Sequence, residues 1–416
     1  MQNPAGENKT KQSQATHSQV TQNLAIENHP TGNHAWADFE LENRAPAHQE
    51  TAVWFSEHEG KIFDSLVIGA GQAGLSAAFE LQRQKIDFVV LDANSGPGGA
   101  WQHRWDSLTM NDVHGVADLP KSHAPAVSDA ESNRVIPQYF GEYEAQNHLP
   151  VLHGVQVLSV KNQPVEEGSD SLELLSVSTP FGSLLTRTLV NATGTWTRPF
   201  IPHVAGMENF QGEQFHTSNY PGPAHLAGKR VVVVGGGASA VQFIGELARA
   251  SELIWVTRRE PQWIEGAFDG LKAVEWVEER AVQGSAPASV VSSTGLFLRP
   301  QEQYAASTGI YQQRKPMFDA LEEHGVRWAD GSFESADAII WATGFRPATK
   351  HLSPLHLHSE HGGVALVRIP GDVQGATTAA ADPRVQLVGY GPSASTIGAR
   401  HAARQAARAV KKIVNP

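Results

Sequence analysis

The chain has 416 residues, with 43 acidic against 32 basic side chains, a formal net charge of −11, and no cysteine. The length predicts two domains, and the acidic balance argues against nucleic acid as a partner. The missing thiols exclude disulfides, thiolate metal sites, CxxC redox pairs and cysteine nucleophiles, so redox chemistry must come from a bound cofactor.

Residues 1–58 are rich in Asn, Gln, His, Thr and Ala and show no periodicity, so they are predicted to be a disordered tail. Trp36, Phe39, Leu41, Trp54 and Phe55 are its large apolar exceptions. No basic-then-apolar leader and no membrane-length apolar run occur, which makes a cytoplasmic location the default expectation.

Ordered structure is predicted to start near Lys61. The run SLVIGAGQAGLSAAFELQRQ reads as strand, glycine turn and helix, followed by the strand FVVLDA over 88–93. In Gly69-x-Gly71-x-x-Gly74, the first glycine permits the turn, the second admits a pyrophosphate, and the third lets helix and sheet pack closely. The helix N-terminus supplies free N–H donors. Asp92 follows 18 residues after Gly74, where a carboxylate suits a ribose hydroxyl and repels a 2′-phosphate. Gly98-Gly99-Ala100-Trp101 reads as a loop passing close to a flat cofactor, with Trp101 covering it, or as a turn with a core tryptophan.

Short alternating stretches over 150–190 predict a small antiparallel sheet. The strand-like run TLVNATG ends at Gly194, and AIIWATG ends at Gly344. Between them, KRVVVVGGGASAVQFIGELARA repeats the strand, turn and helix with Gly235, Gly237 and Ala240 at the three turn positions. Its next strand ends in Thr257-Arg258-Arg259, and guanidinium groups there suit an adenosine 2′-phosphate. One acid-read and one arginine-read site imply two dinucleotides, FAD and NADPH. The fold class is therefore α/β, with two Rossmann-like domains, the NADPH domain inserted into the FAD domain, plus the small antiparallel sheet. The expected boundaries are 59–200 with 332–416 for FAD and 201–331 for NADPH, with 266–325 mainly helical.

The C-terminal run Val385–Gly391 reads as a strand ending in Gly389 and Gly391, followed by a helix over 396–410 capped by Ser395 or Thr396. His351, His356, His358 and His361 cluster without the spacing of a known metal site, so a polar surface loop is expected and no metal is assigned.

These motifs, with FQGEQFHTSNY (210–220), ATGFRP (342–347) and GYGPSASTIGA (389–399), resemble the flavin-dependent monooxygenases with two dinucleotide-binding domains. That group includes the flavin-containing monooxygenases, plant indole-pyruvate monooxygenases and bacterial CzcO-like flavoproteins. The resemblance covers about 62–412. It implies that NADPH reduces FAD, that O2 then gives a C4a-(hydro)peroxyflavin, and that one oxygen passes to a small-molecule substrate. In the FxGxxxHxxxY signature, it implies roles near the reaction for His216 and Tyr220. Baeyer–Villiger relatives carry Trp where this chain has Tyr220, which tilts the expectation toward heteroatom oxidation. The C-terminal helix would point its N-terminus at the flavin. Asn111 would bond near the flavin N5, although Asp112-Val113-His114 departs from the family pattern and a loop role is the alternative. An NADPH oxidase or reductase on the same fold, and a non-catalytic nucleotide sensor, are the competing functions. The sequence leaves homo-oligomerisation open.

Overall fold

The computed structural model describes residues 45–113, 116–164, 173–263, 282–283, 296, 298–367, 376–394 and 396–415. Contacts divide the chain into a unit ending at Glu50 and a main unit, Thr51–Pro416. Of the first unit, only the start of helix α1 (Ala45–Glu57) is described. This helix corrects the expected tail limit of residue 58. Phe55 is buried with its ring 5.7 Å from Phe181, and Trp54 stacks on His58 at 4.0 Å. Burial of those aromatics offsets the ordering entropy of the turn that carries them.

The first motif folds as read. Strand β1 (Ile62–Ile68) runs into helix α2 (Gln72–Arg83), then strand β2 (Phe88–Leu91). Helix α3 (Ser132–Gln146) precedes β3 (Val151–Leu152), which pairs parallel with β2. The predicted antiparallel sheet is β4 (Ser159–Asn162), β5 (Leu175–Thr179) and the long β6 (Gly182–Asn191). Strand β6 also pairs parallel with β1, so it belongs to both layers.

Strand β7 (Glu213–His216) begins a second sheet, with β8 (Arg230–Val234), helix α4 (Ala238–Leu247) and β9 (Glu252–Thr257). Strand β10 (Lys315–Pro316) extends it at the edge beside β9. Next comes an antiparallel meander of β11 (Ala320–Glu322), β12 (Gly325–Arg327) and β13 (Phe333–Ser335). The sequence reading held the end of this region to be helical; short strands paired through tight turns replace helix there. Much of the rest of that helical reading, 266–281 and 284–295, lies outside the described residues.

Strand β14 (Ala338–Trp341) corrects the expected domain boundary at 332. It lies between β8 and β7, parallel to both, in the order β10-β9-β8-β14-β7. All four of its residues are buried, which suits a central parallel strand covered on both faces. The first sheet resumes only at β15 (Leu366–Val367), β16 (Thr378–Ala379) and β17 (Val385–Leu387), giving the path β15-β16-β17-β6-β1-β2-β3. Helix α5 (Thr396–Val414) buries Ala402, Ala403, Ala406, Ala407 and Val410 in the same core as α2, with Arg404 Nε 3.2 Å from Glu80 Oε1. That spacing is one apolar helical face.

Candidate functional site

The two sheets repeat one construction. In the first, β1 lies between β2 and β6, with Ile68 in register with Asn191. In the second, β8 lies between β9 and β14, with Val234 in register with Trp341. Each glycine turn therefore abuts an Ala-Thr-Gly turn. A Cβ on Gly69 would fall 2.6 Å from the Ala192 carbonyl oxygen, and one on Gly235 would fall 2.3 Å from that of Ala342. Both glycines have positive φ, at 101° and 150°. Close approach and backbone conformation both require glycine at these positions.

The second glycine of each turn is different. A Cβ on Gly71 or on Gly237 would meet no atom within 4 Å, and each residue caps its helix without a side-chain acceptor. Each turn thus presents an open approach and uncapped helix amides, which fits a pyrophosphate. Gly194 and Gly344, which close the two Ala-Thr-Gly turns, also face open space. Gly74 is packed: a Cβ there would sit 1.7 Å from the Gly69 carbonyl oxygen. Ala240, its counterpart, is fully buried, so the second helix stands far enough from its strand for a methyl.

Asp92 is buried at the end of β2. Its Oδ2 accepts from the Ala70 N–H at 2.5 Å, and its Oδ1 accepts from the backbone and side-chain N–H groups of Asn94, both at 2.8 Å. A carboxylate offers about four lone-pair sites, so one remains for a ribose hydroxyl. Gly99 packs against Gly71, and a Cβ on it would lie 2.9 Å from the Gly71 Cα. Trp101, two residues on, is half-buried between the two cores. Gly389 lies against Ala73 of α2, and Gly391 opens the turn leading to α5. Ser395, one of the two expected caps of that helix, lies outside the described residues.

At the far end of β9, Arg258 and Arg259 are exposed. Arg314, which sequence reading missed, joins them: its Nη1 donates to Thr257 Oγ1 at 3.2 Å. Only the pairing of β10 with β9 brings Arg314 there, 57 residues away, and no local pattern signals it. A cavity of about 670 Å³ opens beside this end, lined by Trp255, Trp263, Tyr311, Arg314 and Glu260 among others. Trp263 meets Tyr311 edge to face at 5.6 Å.

The signature residues divide. His216 is buried; its Nδ1 accepts from the Ser218 N–H at 3.2 Å, leaving Nε2–H to donate to the Gly344 carbonyl at 2.9 Å. Burial pushes its pKa down, and the Gly344 bond offsets part of that. A neutral imidazole tied to a backbone carbonyl holds a turn in place, so the geometry is that of a positioning residue. Tyr220, expected near the reaction, lies in a buried aromatic cluster. It is a core side chain, its ring 4.4 Å from Phe243 and 5.7 Å from Trp105. Burial, with nearby Glu246, raises its phenol far above the usual range. Burial also raises the Glu246 carboxyl, which Ser107 and Tyr220 partly counter.

Asn111, expected near the flavin N5 or in a loop role, makes a loop contact. It is exposed, and its side-chain amide donates to Asp129 Oδ1 at 2.5 Å. The neighbouring Asp112 carbonyl accepts from Arg299, itself paired with the buried Glu302, and from Gln242 Nε2 at 2.8 Å. This stretch meets helix α4 through Gln242 and the turn at Arg299. Arg104, also missed, stacks over Trp101 and Trp196 with its Cζ 5.3 and 4.2 Å from their ring centres. Burial pushes its pKa down to about 10. The nearby Trp101 and Trp105 were the available signal. In the histidine cluster, His351 is not a surface residue: its Nε2 lies 2.7 Å from Asn191 Oδ1, and burial lowers its pKa to about 4. Among the described residues, no three potential metal ligands converge, and no helix is long and apolar enough to cross a membrane.

The family model described as pyridine nucleotide-disulphide oxidoreductase matches residues 66–291. An uncharacterized CzcO-like oxidoreductase of Geobacillus kaustophilus is 26% identical over 68% of this chain and 81% of its own. A Baeyer-Villiger monooxygenase of Streptomyces coelicolor is 30% identical over 56% of this chain and 44% of its own. Among solved structures, a flavin-containing monooxygenase from Stenotrophomonas maltophilia superposes with a TM-score of 0.69 at 33% identity, covering 85% of this chain and 99% of that one. The family match takes in more than half the chain and the last structure is covered almost end to end, so the chain belongs to the flavin-dependent monooxygenases of the pyridine nucleotide-disulphide oxidoreductase family.

Proposed function

We propose that the protein is an NADPH-dependent flavoprotein monooxygenase that inserts one oxygen atom of O2 into a small organic substrate by heteroatom oxidation. The observation that carries this reading is the repeated turn with opposite charges beyond it. Asp92 closes the first unit and excludes a 2′-phosphate, whereas Arg258, Arg259 and Arg314 gather at the second. Gly71, the α2 amides and Asp92 would hold FAD; Gly237, the α4 amides and the three arginines would hold NADPH. When bound, the flavin supplies electron transfer and oxygen activation. The chain binds, orients and excludes water. The turn at Gly344, held by His216, and the partly buried Trp101 would line the cofactor sites. Heteroatom oxidation is supported by the likeness to a flavin-containing monooxygenase at 33% identity over 99% of that chain. The lack of cysteine leaves no dithiol for disulphide chemistry.

The test is to purify the protein, measure FAD stoichiometry, and screen amines, sulfides and ketones under 18O2 with NADPH. One 18O atom in an amine or sulfide product supports the reading; label only in esters moves it to ketone insertion. A second reading, an NADPH oxidase, is favoured by the engagement of the Asn111 side-chain amide with Asp129. Hydrogen peroxide equal to NADPH consumed, with every substrate, establishes it.

A further inference from the structure

We propose that Arg104 is the anion-recognising residue of the substrate crevice and takes the carboxylate of an aromatic or apolar organic acid. The proposal rests on the reading that the two glycine turns hold two dinucleotides. The backbone fixes Arg104 firmly. It ends the helical turn Gly99–His103, its N–H donates to the Trp101 carbonyl at 3.2 Å, and its own carbonyl accepts from Asn133 Nδ2 at 3.0 Å. Its guanidinium lies over Trp101 and Trp196, while its Nε is shut from solvent and has no hydrogen-bond partner. Among the described residues, no carboxylate forms an ion pair with it. Buried polar groups are ordinarily hydrogen-bonded, and Arg104 Nε, set against aromatic faces, lacks the acceptor that an anion would supply.

Neither dinucleotide needs this cation. The pyrophosphates have helix amides, and a 2′-phosphate has Arg258, Arg259 and Arg314. What surrounds Arg104 is aromatic and continuous with the signature. Trp196, two residues beyond Gly194, stacks on Phe345 at 5.0 Å, and Phe345 meets His216 edge to face at 4.8 Å. A guanidinium at one end of an aromatic wall fits a flat or apolar body carrying one carboxylate. The wall joins the loop beside Gly71 to the turn at Gly344, where a substrate must sit to meet both cofactors.

The experiment titrates the holoenzyme with phenylacetate and with phenylacetamide, two probes of similar shape that differ in charge, by calorimetry and flavin absorbance. Wild type is expected to bind the acid more tightly by about tenfold or more. Arg104→Met, which keeps the stem between the tryptophans, should lose that preference, and Arg104→Lys should keep part of it. FAD content and NADP+ affinity should stay unchanged in both. Wild-type protein that holds both dinucleotides yet binds acid and amide alike sinks the Arg104 assignment alone. So does an Arg104→Met protein whose acid preference survives while its NADP+ or FAD affinity falls tenfold, because the anion is then a cofactor phosphate. Wild-type protein that holds neither dinucleotide sinks the underlying reading and the assignment with it. If Arg104→Met does not fold, an Arg104→Lys protein whose acid preference equals that of wild type overturns the proposal.

Discussion

His216 Nε2 donates to the Gly344 carbonyl across 2.9 Å, joining residues 128 positions apart in the chain. The bond fixes the turn that ends β14 to the turn that ends β7. His216→Phe leaves that carbonyl and the Ser218 N–H without partners, which costs about 1–3 kcal/mol. The expected result is a lower melting temperature and weaker NADP+ binding, with FAD content retained. Thermal denaturation and NADP+ titration measure both, and a variant matching wild type in each would show that the bond positions nothing.

The glycines of one turn should fail in different ways. A side chain at Gly71 enters open space at an ordinary φ of −79°, whereas one at Gly74 meets a backbone oxygen at 1.7 Å. Gly71→Val is therefore expected to fold with near-wild-type circular dichroism and to lose FAD. Gly74→Val should lose the fold itself, because helix and strand must separate. Stoichiometric FAD in folded Gly71→Val would place the pyrophosphate elsewhere.

Both glycine turns, Asp92 and the two Ala-Thr-Gly turns were legible because each is set by local conformation at a fixed place after a buried strand. Strand β14 was legible as a strand but not in its sheet: AIIW is equally apolar in either, and only long-range pairing decides. The surroundings of Tyr220 and Asn111 were not legible for a related reason. A motif fixes spacing in the chain, while burial against Phe243 or bonding to Asp129 depends on which element packs opposite. Arg314 and Arg104 carried no periodic signal, since their surroundings come from residues far away in sequence.

His351 makes stability depend on pH. Its folded pKa is lowered to about 4, beneath the ordinary value of 6.5. The unfolded chain therefore takes up the proton first as pH falls. The contribution is present in full above about 6.5 and is lost progressively between there and about 4, amounting to on the order of 3 kcal/mol. His216, also depressed, acts in the same direction. His351→Gln can still donate to Asn191 but cannot titrate. Its unfolding free energy, followed by urea denaturation from pH 7.5 to 4.5, should fall less steeply than that of wild type. Parallel curves would remove His351 as the cause.

On the proposed function, Arg314, which reaches Thr257 from the neighbouring strand, would add a third guanidinium to the two exposed arginines after β9 in reading a 2′-phosphate. A guanidinium anchored by that bond loses less freedom on meeting a phosphate than an exposed one does. Arg314→Ala should therefore weaken NADPH at least as much as Arg258→Ala or Arg259→Ala, by roughly 1.5–3 kcal/mol for one charge-assisted contact. Arg314→Lys should recover only part of that, since an ammonium lacks the planar fork. NADH, which has no 2′-phosphate, should bind all these variants like wild type. Steady-state KM for NADPH and NADH, with Kd for NADP+ and NAD+, separates the cases. Equal losses for both nucleotides would assign the arginines to the shared part of the molecule, and an unchanged NADPH KM would remove Arg314 from the site.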